Sequence, residues 1–537
     1  MVQLPDQAAS CRSSRKPGRQ SIAKTISDVI EHPNLSPVST SFPVIITSHR
    51  ETSVSYQRLG DVEKASCDTD HVNLVEWGGP DDAENPLNWS SWKKAWVAFQ
   101  ICLLSWAIFV GGAIYSAGVD SVEEDFHITE VEAILGLTMY VLGNGVGVMF
   151  WSPITEIPQI GRNPVYLGTL LLFLLLQIPT ALATNLAMLL IFRFITGFIG
   201  SPSLAAGGAS LGDMYPPRKK AYAITWWDLA ALCGPALGPL IGGYAVQAAG
   251  WRWTMWELMA INGAVLVLLV YFLPETSAAN ILFRRARRIR LETGDRTYQS
   301  QGELDSADLD RKEVFREAMI RPFLLNAEPI VLALNIYVSL VYALQYIWLE
   351  SFPIVFGEVY GMTLGVQGFT YLSIAIGALI AIPPFFWHLR VHVEPQFDQN
   401  GEMEPEARLI AAVVGSFFIP VALFWFGWSA AYDLHWAMPC AGCVFFGAGI
   451  LLLFNCILTY LADVYPRHTA SVLAGNELMR SAFAAGFPLF APAMYHQLGI
   501  AWASSLLAFL ACAFVPLPFL LRRYGKRLRL ASKNAGK

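Results

Sequence analysis

The chain has 537 residues, 54% hydrophobic and 15% charged, with a formal net charge of −5 and a mean hydropathy of +0.43. Soluble domains carry about 25% charged residues, so these figures exclude an ordinary water-soluble globule and place most of the chain in lipid. Residues 1–90 are polar, rich in Ser, Pro and charge, and lack the early apolar core of a signal peptide. They read as a disordered cytosolic N-terminal tail. About 20 apolar residues cross a bilayer as a helix, and six segments of that length follow near 95–117, 132–152, 164–183, 186–206, 221–246 and 253–273. Residues 274–328 are strongly charged and read as a cytosolic central loop. Six more spans lie near 329–352, 367–388, 409–430, 436–462, 469–493 and 498–521, before a cytosolic C-terminal tail over 522–537.

The predicted fold is therefore an all-α membrane protein, with twelve transmembrane helices in two six-helix, pseudo-symmetric halves, 91–273 and 329–521. Basic residues gather in the even-numbered loops and at the C-terminus: Arg162; Arg218, Lys219 and Lys220; Arg284, Arg285, Arg287, Arg288 and Arg290; Arg522, Arg523, Lys526, Arg527 and Arg529. The first odd loop is acidic instead, with Asp120, Glu123, Glu124 and Asp125. Positive charge marks the cytosolic side, so both termini are expected in the cytosol. Cys440 and Cys443 form a C-x-x-C inside an apolar span with no second pair, which reads as helix packing and not as a metal site. No metal and no cofactor is expected.

The halves repeat each other. Leu211-Gly212-Asp213-Met214-Tyr215-Pro216 recurs 250 residues later as Leu461-Ala462-Asp463-Val464-Tyr465-Pro466. Skipping one of the prolines 216 and 217 changes the offset to 249, and Leu229 then matches Leu478 while Pro239 matches Pro488. Two membrane halves on one plan are how many secondary transporters build a central site that faces either side in turn.

Four ionisable residues lie well inside spans: Arg193 in the fourth, Asp228 in the fifth, and Glu477 with Arg480 in the eleventh. A charge near the bilayer centre costs at least about 2.5 kcal/mol, so such groups face a cavity or a partner. Asp228 and Glu477 stand 249 residues apart, the offset of the repeat. Either carboxylate could carry a proton, because burial and a neighbouring arginine act on it in opposite directions. Glu477 and Arg480, spaced i, i+3, could equally form a static pair. Arg193 could be a functional cation or a packing residue. Glu257 and Glu350 fall near the external ends of their spans, where water is close, and read as unremarkable.

The fifth span carries Gly234-Pro235-Ala236-Leu237-Gly238-Pro239-Leu240-Ile241-Gly242-Gly243. The prolines remove backbone donors and should bend the helix, and the glycines admit a close neighbour. A seal or hinge between the halves, or plain small-residue packing, would use such a run. Trp226 and Trp227, beside Asp228, could line an aromatic pocket for a planar or cationic ligand.

These residues resemble the major facilitator superfamily, in particular its fungal twelve-helix drug:proton antiporters, over about residues 84–525. Asn85-Pro86-Leu87-Asn88-Trp89 is similar to that group's entry motif, Arg193 and Gly197 to its fourth-helix motif, and the Gly-Pro run to its antiporter motif. Pro274-Glu275-Thr276 followed by the basic stretch resembles the junction of benomyl/methotrexate-resistance transporters. Glu156, Gly161 and Arg162 fit the family's loop between helices 2 and 3, but Asn163 stands where a second basic residue is common, which implies a weakened cytosolic charge lock. The resemblance implies proton-coupled export of hydrophobic or amphipathic compounds across the plasma membrane, or of one self-made secondary metabolite or organic acid. The expected partners are a small-molecule substrate, protons and the lipid bilayer, with no nucleic acid, and a monomer is expected. With no phosphate-binding loop and no nucleophile–base motif, the chain does not read as an enzyme.

Overall fold

Helix is the only regular backbone that satisfies its own N–H and C=O groups inside lipid without closing a barrel, and helix dominates this chain. The computed structural model describes residues 72–307, 311–398, 403–432, 434–466 and 468–532. The expected tail up to residue 71 lies outside the described residues. The first half holds α1 (Ser91–Ala113), α2 (Val119–Phe126), α3 (Glu130–Glu156), α4 (Asn163–Ala181), α5 (Leu186–Gly200), α6 (Pro202–Met214), α7 (Pro217–Ala249) and α8 (Arg252–Phe272). The connection carries α9 (Ala278–Thr293), α10 (Gln301–Ala307) and α11 (Arg311–Asn326). The second half holds α12 (Pro329–Phe352), α13 (Leu364–His388), α14 (Leu409–Ala431), α15 (Ala437–Val464), α16 (Thr469–Gly486) and α17 (Ala491–Phe514), with α18 (Pro516–Ala531) beyond it.

Each half crosses six times. The fourth crossing is α5 continued by α6, broken where Pro202 enters the first turn of α6 and cannot donate back to the preceding turn. The last two crossings form one helical run, Thr469–Leu530. It is interrupted inside α17 at Gly499, whose φ of 73° and ψ of 159° turn the chain back. Gly250, with φ 80°, ends α7 in the same way. The two glycines are 249 residues apart, so the repeat reappears in backbone geometry at positions where a Cβ would be strained. α7 runs as one helix through Pro235 and Pro239.

Burial sorts the helices. α12 is covered along nearly its whole length, whereas α4 and α8 show apolar outer faces through Leu171, Leu175, Val267 and Val270. Those exposed apolar faces are the surface a bilayer would solvate. The halves meet where α7 packs on α13 and α3 on α16.

Residues 72–90, expected to be the end of a disordered tail, are ordered instead. β1 (Asn73–Val75) pairs in parallel with β2 (Tyr298–Ser300) of the connection. Arg285 of α9 holds the Asp82 and Glu84 carboxylates at 2.8 Å each. That bond, aided by the N–H groups of Gly78 and Glu84, keeps the Asp82 carboxyl well below the usual carboxylate range. A carboxyl lowered on folding stabilises the fold above its unfolded value, and the contribution is lost as pH falls through the folded one. Arg285→Ala should therefore speed chymotrypsin cleavage after Trp77 by about 5-fold or more at neutral pH. In the unsubstituted chain the hydrogen-exchange protection of residues 73–75 should stay flat down to about pH 4 and fall only below it.

Candidate transport site between the two halves

A buried polar link between the halves centres on Asp228. Asn455 of α15 donates through Nδ2 to Asp228 Oδ2 at 3.0 Å and to Thr225 Oγ1 at 3.1 Å. Asp228 and Asn455 are 8% and 1% exposed. The single NH2 group thus binds both acceptors that α7 offers on that face. Asp228 lies 11 residues into α7, counted from Pro217, about 16 Å along its axis. Glu477 lies 8 residues into α16, counted from Thr469, or about 12 Å. Glu477 forms an ion pair with Arg480. The Arg480 guanidinium also lies over the rings of Tyr342, at 4.9 Å, and Phe454, at 5.2 Å. It is close enough to Asp228 to interact with it electrostatically. One buried cation is therefore set against two acids, one paired with it and one held across the seam.

Arg193 occupies a different place. It is fully buried, and its guanidinium donates to the carbonyls of Gly136 (3.0 Å), Gly111 (2.8 Å) and Gly112 (3.4 Å). The rings of Tyr115 and Tyr140 flank it at 4.8 and 4.4 Å. Backbone carbonyls and aromatic faces together solvate the charge, so Arg193 fastens α5 to α1 and α3.

The glycines of α7 face two neighbours. A Cβ on Gly234 would lie 2.4 Å from Phe109 Cβ, on Gly238 2.8 Å from the Ile114 nitrogen, and on Gly242 2.5 Å from the Ile114 carbonyl oxygen. This i, i+4, i+8 stripe beds α7 on α1, within one half. Gly243 turns the other way, where a Cβ would lie 2.6 Å from the Leu364 carbonyl oxygen, and a Cβ on Gly368 of α13 would lie 2.4 Å from the Leu240 Cα. Pro235 and Pro239 are buried in the same stretch.

The tryptophans beside Asp228 point to different surroundings. Neighbours in a helix point about 100° apart. Trp226 is 49% exposed and meets Phe386 edge-on. Trp227 turns inward to α6 and donates from Nε1 to Ser105 Oγ at 2.7 Å.

At the basic face, Arg162 pairs with Asp213 at 3.1 Å and donates to Ser210 Oγ at 3.3 Å. Gly161, with φ 77°, leaves room for the Glu275 carboxylate, which a Cβ would approach to 2.6 Å. Glu275 accepts from the N–H groups of Arg162 and Asn163, both at 3.2 Å, and so caps the start of α4. Asn163 donates its side-chain amide to the Leu273 carbonyl at 2.6 Å. Asn163 thus stands in place of a second cation and holds the end of α8 by a hydrogen bond. Glu156 is exposed and forms no ion pair among the described residues.

The sequence profile of the Major Facilitator Superfamily matches residues 101–487. Transporter mfs1 of Schizosaccharomyces pombe is 42% identical over 508 residues, covering 90% of this chain and 96% of its own. Multidrug transporter FLR1 of Candida glabrata is 41% identical over 492 residues and 88% of each chain. This chain belongs to the major facilitator superfamily. The fold is also that of the proton:xylose symporter XylE bound to 6-bromo-6-deoxy-D-glucose, at a TM-score of 0.57 and 13% identity over 81% of this chain and 96% of that one.

In this major facilitator, several site residues escaped the sequence reading. Asn455 carried no signal, because an asparagine among apolar residues is indistinguishable from a packing amide. Arg408 and Asp463 pair at 2.5 Å and mirror Arg162 with Asp213 in the second half. The repeat pairing Asp213 with Asp463 pointed to this partner. Lys219 and Tyr222 of α7 reach Glu394, beyond α13, at 2.7 and 2.6 Å, a second link between the halves.

Gly238→Leu should reach the membrane and lose turnover, since overpacking costs about 1–3 kcal/mol and would prise α7 from α1. Gly263→Ala, where a Cβ meets nothing within 4 Å, should transport normally. Surface abundance and transport measured together check both; normal turnover by Gly238→Leu would make the stripe incidental.

Proposed function

We propose that this major facilitator is a proton-coupled exporter of hydrophobic or amphipathic organic compounds at the plasma membrane, with its basic face and both termini in the cytosol. The observation that carries the reading is Asp228, buried at the seam and bound by an amide of the opposite half. As an ionised carboxylate, Asp228 attracts both an Asn455 N–H and the Arg480 charge. Protonation removes its charge, weakens both attractions and loosens the link between α7 and α15. Changing the protonation of one group therefore changes how strongly the halves hold together, which is the coupling an antiporter needs. Glu477 keeps Arg480 as its own partner and is the member expected to remain ionised.

Cargo chemistry follows from the same place. Around Arg480 the lining is aromatic, through Tyr342 and Phe454. Arg193 is enclosed by carbonyls, and Arg480 already has a carboxylate. This disfavours a dedicated exporter of organic acids and supports neutral or cationic amphipathic cargo, in keeping with the multidrug transporter named above. The chain acts as a carrier and performs no reaction of its own.

Inside-out vesicles with an acid interior and no ATP should accumulate a lipophilic dye, and a protonophore should abolish uptake. Because the proton runs inward as cargo leaves, raising external pH on cells should slow efflux. Asp228→Asn should flatten that dependence more than Glu477→Gln does. ATP-dependent uptake that ignores the protonophore, or intact coupling in Asp228→Asn, would overturn the reading.

A further inference from the structure

Glu350 was expected near water at the end of its span, but the structure buries it. It is 7% exposed, and its Oε1 has no hydrogen-bond partner. The two tyrosine hydroxyls that interact with it electrostatically are already committed. Tyr115 donates to the Ala133 carbonyl at 2.8 Å, and Tyr371 donates to the Leu349 carbonyl at 3.1 Å.

The register of α12 fixes what Glu350 faces. Trp348 and Phe352, one turn apart, stack on Phe426 at 5.0 and 5.5 Å inside the second half. Glu350 projects about 200° away from each of them, towards the first half. One turn earlier, Tyr346 lies on the same stripe, its hydroxyl 3.7 Å from where a Cβ on Gly112 of α1 would stand. Tyr115, three residues after Gly112, is close enough to Glu350 to interact with it electrostatically. Charged groups that act on Glu350 are Asp120 of α2 and Glu130 of α3. His496 of α17 acts in turn on Glu130, and Tyr371 of α13 faces Glu350 from the second half. No arginine or lysine pairs with Glu350 among the described residues.

An unpartnered carboxylate in such surroundings is very costly as an anion and tolerable as a neutral acid. Two further acids at the rim make the anion worse. Among the described residues no group of three or more His, Cys, Asp or Glu side chains is arranged to hold a metal ion. The ion this place can take is therefore a proton.

We propose that Glu350 is a second proton-binding site, placed at the external end of the seam, which must be loaded before the halves close on that side. This rests on the orientation and proton coupling proposed above. Asp120 and Glu130 form an acidic rim that concentrates protons at the opening. When the external side parts, Glu350 becomes wet and equilibrates with outside pH. When it closes, only the neutral acid can be buried against Tyr115. Asp228 senses protonation at the centre, and Glu350 makes external closure depend on external acidity.

The test is dye efflux from cells against external pH, with cytosolic pH clamped, for the unsubstituted protein, Glu350→Gln and Asp228→Asn. Gln is a permanent mimic of the neutral acid. Glu350→Gln should keep protonophore-sensitive dye accumulation in inside-out vesicles, while the change in its efflux from cells between about pH 5.5 and about pH 7.5 outside shrinks to within about twofold. Asp228→Asn should lose the protonophore-sensitive accumulation as well. An unaltered external profile in Glu350→Gln, with Asp228→Asn uncoupled, would overturn this inference alone; intact coupling in Asp228→Asn would overturn the proposed function first. Should Glu350→Gln fail to reach the membrane, a hydrophobic carbodiimide on the unsubstituted protein decides. Modification mapped to Glu350 that fades as pH rises supports the site, and no pH-dependent modification there refutes it.

Discussion

Everything polar inside this molecule answers to one constraint: the hydrocarbon core supplies no water, so each buried charge must be solvated by protein. The chain solves this differently at each position. Arg193 is surrounded by three carbonyls and two rings, so its charge is satisfied without any acid. Arg480 takes Glu477. Asp228 takes an amide from the other half. Glu350 leaves one oxygen without a hydrogen-bond partner. These solutions run from saturated to unsatisfied.

That ordering separates scaffold from mechanism. A saturated cation such as Arg193 fixes helix positions through its contacts with α1 and α3. A group whose partner lies across a moving seam is different, because its binding is part of the energy holding the halves together. Asp228 meets this condition through Asn455, as does Glu394 at the basic face through Lys219 and Tyr222. The glycine stripe completes the picture. It binds α7 to α1 as one rigid unit, while Gly243 and Gly368 form the surface on which that unit meets α13. Close backbone contact of this kind separates and closes as a whole and does not deform gradually.

The repeat gives the two halves equivalent charge pairs at the basic face, Arg162 with Asp213 and Arg408 with Asp463. It does not give them equivalent centres. Asp228 and Glu477 occupy matching positions, yet one reaches across the seam and the other pairs within its own helix. Symmetry supplies the frame, and departures from it supply a direction.

The sequence by itself determined the crossing segments, the side that carries positive charge, the repeat and its 249-residue offset, and that Arg193, Asp228, Glu477 and Arg480 would be buried. These follow from composition and spacing alone, because lipid demands apolar length and the same backbone plan leaves the same marks twice. Glu275 was visible as part of a junction motif, though its role in capping α4 was not. What only the tertiary structure decided is which partner each buried group finds. Asn455, Arg408 and Asp463 are far in sequence from the residues they bind or mirror, and one-dimensional periodicity carries no information about contacts between helices. The same limit explains Trp226 and Glu350. A helix position states the direction of a side chain around its own axis, and only the packed neighbours determine whether that direction leads to lipid or to the seam.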